Sequence, residues 1–343
     1  MKPRTQFLFV GNFLQKHRGS IGIAQKMTTW LREEDGITIP VVSEHENIYS
    51  RFIDIVKTIL VLRPKRIFVD TYSGKAFIIT LATFCTSWFT RSRVNCVLRG
   101  GKLFEFFQEY PRIVKFVLKK CTCYSPSLFL IDKFKNQNFN IKYLPNPVRL
   151  EKFEFVRENV NLFSLLWVRG FDPIYNPEVP IKLLASLKTK YPSITLTMIG
   201  PDRGLLNNCK KLATELGVID DVSFVGSVPN EKLYTYYQTH GIYLNTTSYE
   251  SFGQAVIEAA SCGIPIISNN VGEIPYLWED KVNILTVEGN DLDSYVTSVE
   301  FLLENNDKAK RMALSARTVA EQFQWGTIKS DWMKIISNSN DHK

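Results

Sequence analysis

Short β-branched or apolar runs alternate with helix-length segments almost from end to end of this chain, and that alternation limits the fold more than any other feature. Strand patterns fall at Phe7–Val10, Thr38–Val42, Arg66–Asp70, Val94–Leu98, Thr122–Tyr124 and Ile141–Leu144. Helical periodicity lies between them, for example at Ile21–Leu31, Ile48–Leu60 and Leu103–Leu118. "YLPNPVRLEKFEF" then sets two prolines around Asn146, a turn-rich hinge. The rhythm restarts with Leu162–Val168, Ile194–Ile199, Val222–Val225, Gly241–Leu244, Ile264–Ile267 and Asn283–Leu285. A helical tail runs from Leu292 to about Ile336, with Trp325 and Trp332 as packing anchors. Strands alternating with helices make parallel sheets covered on both faces. A chain of 343 residues is too long for one ordinary core, so the pattern predicts two Rossmann-like, doubly wound α/β domains. They are expected at 1–147 and 148–324, with a C-terminal helix over about 325–343 packing back on the first. Ligands of such folds sit at the carboxyl ends of the strands, so the cleft between domains is where a site is expected.

Within the second half, "SYESFGQAVIEAASCGIPIIS" (Ser248–Ser268) carries two acids eight positions apart, Glu250 and Glu258. Ser251-Phe252-Gly253-Gln254 matches the capping box S-x-x-Q and predicts a helix starting at Ser251. Such a start presents free N–H groups and the positive end of the helix dipole, an anion site. Gly253 would let a phosphate or sugar approach the backbone closely. Glu258 follows about two turns along, ~12 Å at 1.5 Å per residue. A nucleoside diphosphate sugar has those proportions, with the diphosphate at the helix end and a carboxylate at the sugar on either side. Carboxylates suit sugars because they accept strong, paired hydroxyl bonds. An ordinary helix start with a solvated Glu before it accounts for Ser251 and Gln254. It does not account for Glu258, set among Val256, Ile257, Ala259 and Ala260, where an unpaired carboxylate would cost several kcal/mol.

"ESFGQAVIEAASCGIPIISNNVGEIPYL" closely resembles the E-x7-E signature and following segment of the family 4 retaining glycosyltransferases, which have the two-lobed GT-B fold. "YLPNPV" resembles the interdomain hinge of that family, and "SLLWVRGF" the first strand and loop of its donor domain. "PSITLTMIGP" and "VSFVGSVPNEKLYTYY" match the next two strand-loop units. The resemblance covers nearly all of the C-terminal half and is looser in the N-terminal half. It implies that Glu250 contacts hydroxyls of the transferred sugar and Glu258 those of the ribose. The backbone amides of Ser251, Phe252 and Gly253 would hold the sugar and distal phosphate, and Arg169 would pair with the diphosphate. The segment Gly226–Pro229, with Val228, would lie against the base. Family members carry a Lys five or six positions after the Arg, whereas "RGFDPIYNPE" has Ile174, Tyr175 and Asn176 there; Arg18 from the other lobe is the candidate replacement. In "VGNFLQKHRGSIGIAQ" the loop with Gly19 corresponds to the one that faces the diphosphate across the cleft. Where the family often has a His near the reacting sugar, this chain has Arg99, read as binding an anionic acceptor group or else as paired with a neighbouring acid.

The net charge of +8 favours anionic ligands without saying which. The six Cys form no C-x-x-C pair and fall mostly in apolar segments, which points to reduced thiols and a cytoplasmic location. The histidines show no ligand spacing, so no metal is expected, and the resemblance implies no cofactor beyond the donor. "AFIITLATFCTSWF" is too short to span a bilayer and is expected to be a buried helix. "FEFFQEYPRIVKFVLKK", with Lys115, Lys119 and Lys120, reads first as a packed helix with a basic face and second as a contact with anionic lipid at the inner face of a membrane. The resulting expectation is a retaining transferase that moves a sugar from a UDP- or GDP-linked donor to a glycan or lipid-linked acceptor, in surface polysaccharide synthesis. The rivals are another two-lobed sugar-nucleotide enzyme, an epimerase or phosphorylase, and a non-catalytic nucleotide- or nucleic-acid-binding module. Nucleic acid is disfavoured because the aromatics follow core periodicity and are not interleaved with Arg.

Overall fold

The computed structural model describes residues 6–11, 13, 22–151, 153–155 and 161–337. They divide into two compact units, one within Met1–Pro147 and Ile328–Lys343, the other Val148–Thr327.

The first unit holds β1 (Phe7–Val10), β2 (Val41–Val42), β3 (Arg66–Thr71), β4 (Arg93–Leu98), β5 (Thr122–Ser125) and β6 (Ile141–Tyr143) in a sheet of order β2-β1-β3-β4-β5-β6. All its pairings are parallel. Central strands of such a sheet are covered on both faces and need continuous apolar runs, which Leu8, Phe9 and Val10 and Ile67, Phe68 and Val69 supply. Phe9 stacks on Phe68 with ring centroids 4.9 Å apart, and Trp332 lies 6.4 Å from each. Trp332 belongs to the helix Trp325–Ser337, fixed to the same unit by Arg66 Nη1 donating to the Ile335 carbonyl at 2.8 Å. The strand expected at Thr38–Val42 shrinks to two residues at the sheet edge, because Pro40 has no N–H to give the ladder.

The second unit holds β7 (Ser164–Val168), β8 (Thr195–Ile199), β9 (Val222–Gly226), β10 (Ile242–Asn245), β11 (Ile266–Asn269) and β12 (Leu285–Val287) in the order β12-β11-β10-β7-β8-β9, again all parallel. The order reverses direction between β7 and β10, and the chain leaves both strands on the same edge of the sheet. That is the switch point at which doubly wound folds bind ligands. Trp167 on β7 and Phe171 just after it fill the core beneath this edge, their rings 5.3 Å apart.

The helix Phe77–Thr90 departs from its expected full burial. Phe77, Ile79, Ala82 and Phe84 face the core, but Ile78, Trp88 and Phe89 are exposed. Among the described residues no helix is long and apolar enough to cross a membrane.

Candidate functional site

The switch point of the second sheet brings the ends of β7, β10 and β11 together, with Arg169 directly after β7, Asn245 ending β10 and Asn269 ending β11. The loop after β10, from Thr246 to Gly253, is held by groups that sequence reading passed over. Trp167 Nε1 donates to Thr246 Oγ1 at 3.0 Å, and Thr246 Oγ1 donates to the Tyr175 carbonyl at 2.7 Å. Asn176 Nδ2 donates to the Thr246 carbonyl and to Ser248 Oγ, both at 2.8 Å. The Ser248 N–H donates to the Ile174 carbonyl at 2.7 Å. Ile174, Tyr175 and Asn176, standing where a Lys was expected, therefore clamp the loop that carries Glu250.

Glu250 is buried at the end of this loop. Its Oε1 accepts from the Gly253 N–H at 2.9 Å, and its Oε2 from Arg169 Nη2 at 2.5 Å. The helix begins at Gln254, with Gly253 as N-cap in the left-handed region at φ 84°. This corrects the capping-box expectation. The helix starts three residues after Ser251 without a side-chain cap, the Glu250 carboxylate takes the N–H of Gly253 ahead of it, and the Gln254 amide runs forward to Glu258 instead of back. A carboxylate at this position also opposes the positive helix end. Ser251 is half-buried and Phe252 is packed edge-on against Phe323 at 5.4 Å.

Arg169 is held on both sides. Nη2 also donates to Asn245 Oδ1 at 3.1 Å, and the guanidinium lies 5.6 Å from the centre of the Tyr175 ring. Burial alone would lower its pKa, but the Glu250 charge, with Tyr243, Tyr175 and Tyr237, carries it above the ordinary value. The guanidinium expected to face a diphosphate is thus paired with Glu250 here, and its Nε is buried without a hydrogen-bond partner. The hydroxyls of Tyr237 and Tyr243 are also buried without partners. Burial pushes the Tyr243 pKa up to about 12, so the phenol stays a neutral donor.

Glu258 is only 3% exposed, and its Oε1 accepts from Gln254 Nε2 at 2.8 Å and Asn230 Nδ2 at 3.0 Å. Asn230 directly follows the segment Gly226–Pro229, so Glu258 and half-buried Val228 border the same place at the end of β9. The sequence reading missed Asn230; its position beside the proposed base-contacting segment was the available signal.

In the first unit Arg99 follows β4, and its Nε lies 2.5 Å from Asp70 Oδ1 on β3, with both side chains 7% exposed. Arg99 Nη1 also donates to Asn146 Oδ1. The buried pair with a neighbouring acid, the second reading of Arg99, is present here, and its Nη2 is buried without a hydrogen-bond partner. Arg18 and Gly19 lie outside the described residues. Among the described residues there is no group of three or more His, Cys, Asp or Glu placed to hold a metal ion.

Tyr295 supports the site from behind: its buried hydroxyl donates to the Asn245 carbonyl at 3.1 Å, at the end of β10. Tyr295→Phe is expected to cost about 1 kcal/mol, the net worth of one buried hydrogen bond. Denaturant unfolding should show a lower midpoint with an unchanged slope, and an unshifted midpoint would remove this bond from the account.

Comparison with known proteins gives one family model over residues 148–319, described as glycosyl transferases group 1. A D-inositol 3-phosphate glycosyltransferase of Streptomyces griseus subsp. griseus is 26% identical over 187 residues, which are 52% of this chain and 40% of that protein. An uncharacterized glycosyltransferase of Haemophilus influenzae is 28% identical over 210 residues, covering 60% of this chain and 57% of that one. The matched region is thus less than two thirds of either relative. Among solved structures, Anabaena HepE in complex with UDP superposes with a TM-score of 0.76 at 16% identity, covering 97% of this chain and 100% of that one. Sucrose-phosphate synthase of Thermosynechococcus elongatus gives 0.78 at 16% identity, covering 97% and 98%. At these identities the structural likeness speaks for the fold, a two-domain α/β fold of the GT-B type.

Proposed function

This chain belongs to the group 1 glycosyl transferases, and from that membership we propose that it is a retaining glycosyltransferase using a nucleoside diphosphate sugar as donor. UDP and GDP are the candidate carriers, with a glycan or lipid-linked acceptor of the kind used in surface polysaccharide synthesis. UDP comes first in any test because solved HepE complexes hold UDP and UDP-glucose. The observation that carries the proposal is the position of Glu250, joined at once to the start of the helix Gln254–Ser261 and to Arg169 at the end of β7.

That geometry supports the following roles. Both Glu250 oxygens already accept charged or backbone donors, which makes the group an acceptor for sugar hydroxyls and a poor nucleophile. The helix start supplies N–H groups that have no partner within the helix. They and the Arg169 charge face the negative charge that grows on a departing diphosphate, where preorganised dipoles contribute most. The bond from the anomeric carbon to the diphosphate oxygen breaks, and the acceptor oxygen bonds to the same face of that carbon. The acceptor proton passes to the departing phosphate oxygen, and the nucleoside diphosphate leaves. Glu258, enclosed with Asn230 and Gln254, takes the ribose hydroxyls and no part in proton transfer.

Incubation with UDP- and GDP-sugars tests this, with new glycoside scored against free epimer and sugar phosphate; an epimer alone would overturn the transferase reading. Glu258→Gln keeps the side chain's size while removing its charge. It is expected to weaken nucleoside diphosphate binding about tenfold, the loss of one charge-assisted bond, with transfer at saturating donor affected less. Unchanged affinity by titration calorimetry would take the ribose away from Glu258.

A further inference from the structure

The outer end of the helix Phe77–Thr90 carries a pair of aromatics that the fold does not use. Phe89 is 83% exposed and Trp88 55%, although both sit in one of the most apolar helices of the chain. Burying such rings would normally be favourable, so their exposure calls for a partner. The neighbouring helix Pro111–Leu118 adds Phe116, 43% exposed, whose ring meets Trp88 edge-on at 6.0 Å, together with exposed Ile113. Three exposed rings and an isoleucine from two helices therefore form one patch.

The charge on the two segments that carry this patch has a single sign. From Pro111 to Cys121 there are Arg112, Lys115, Lys119 and Lys120 and no acid; from Cys85 to Arg93 there are Arg91 and Arg93 and no acid. All six side chains are exposed. Lys120 Nζ stands 5.2 Å from the Trp88 ring centre and 4.8 Å from that of Phe116, so cation and rings share one surface. Glu105 and Glu109 are the nearby acids in sequence, on the preceding helix Leu103–Glu109.

We infer that this face docks on an anionic lipid bilayer, with Phe89 and Trp88 entering the interface and the surrounding Lys and Arg meeting lipid phosphates and carboxylates. The amphipathic indole of Trp favours the boundary between headgroup and acyl chain, and Phe serves beside it on the apolar face of interfacial segments. Basic residues near an anionic leaflet add attraction that falls off within a Debye length. A second copy of the chain is the poorer occupant, because mating the face with itself would set six cations against six. The inference rests on this surface alone and is independent of the transferase reading.

Co-sedimentation of the full chain with vesicles decides it, using phosphatidylcholine alone and phosphatidylcholine mixed with phosphatidylglycerol. Binding is expected to the anionic vesicles only, and to decrease as salt rises. Trp88→Ser with Phe89→Ser, and separately Lys119→Gln with Lys120→Gln, should each reduce it about tenfold or more. Phe89→Ser alone touches no core and guards against unfolding as the cause. Cys85 is exposed one turn before Phe89. In a Cys121→Ser background an environment-sensitive fluorophore on Cys85 should shift to the blue as anionic vesicles are added. Equal binding to both vesicle types, or full binding by the variant with both Trp88→Ser and Phe89→Ser, would overturn the inference. So would a concentration-dependent dimer that the same variants abolish without any vesicle binding.

Discussion

Glu250→Gln is expected to lower the rate of sugar transfer by about 10²–10³-fold while the protein stays folded, the scale found when one preorganised group is removed from a charged transition state. Gln keeps the shape, and its carbonyl oxygen can still accept one of the two bonds now made to Gly253 N and Arg169 Nη2. What it loses is the charge that holds Arg169 and that is proposed to receive sugar hydroxyls. Glu250→Ala should behave differently, because it also leaves the buried Arg169 guanidinium uncompensated. Breaking one partner of such a pair costs about 3–5 kcal/mol, and loss of the hydrogen bond from the Gly253 N–H adds about 1 kcal/mol. In a unit of this size each kcal/mol lowers Tm by roughly 2–4 °C, so Glu250→Ala should melt on the order of 10 °C earlier. Arg169→Ala with Glu250→Ala should recover part of that loss, since contacting residues are not additive. Full turnover by Glu250→Gln would remove the residue from the reaction. A double variant no more stable than Glu250→Ala would show that the ion pair is not what holds the loop.

The alternation of strands and helices was legible because a parallel sheet covered on both faces has to be written in continuous apolar runs, as in Leu165, Leu166, Trp167 and Val168 on β7. Glu258 stood out for the same reason, as a carboxylate inside an apolar helix. The start of that helix was misplaced because the motif Ser251–Gln254 is local, whereas Glu250, which takes the Gly253 N–H ahead of the helix, is fixed from the end of β7 through Arg169. Arg99 shows the limit in another form. Its partners Asp70 and Asn146 stand 29 and 47 positions away in the chain, and only the parallel register that sets Asp70 beside Val97 brings the acid within reach. Sequence spacing says nothing of that register. The exposure of Phe89 was hidden too, since an apolar helix end reads the same whether it faces core or solvent.

Gly272→Ala should disable the same site from outside it. Gly272 sits at φ +57°, and a Cβ there would lie 1.9 Å from the Glu250 carbonyl oxygen and 2.8 Å from its carbonyl carbon. Both atoms are backbone, so no rotamer change relieves the contact, and the adjoining Glu273 N–H already donates to that carbonyl at 2.9 Å. An Ala must push the Glu250 loop away by about 1 Å or more to reach ordinary contact distance. A displacement of about 1 Å at a reacting centre is enough for a 10²-fold loss of rate. The left-handed backbone adds roughly 1–2 kcal/mol and the overpacking about 1–3 kcal/mol. Gly289→Ala separates the two contributions. Gly289 has nearly the same backbone, φ +61°, but nothing lies within 4 Å of its would-be Cβ. It should therefore lose only the backbone share of stability, seen as a small drop in Tm, and keep full transfer activity. Gly272→Ala should fall further in Tm and lose transfer about 10²-fold at a temperature where it is still folded by circular dichroism. Matching behaviour of the two variants would mean that the close approach of Gly272 to Glu250 does not position the carboxylate.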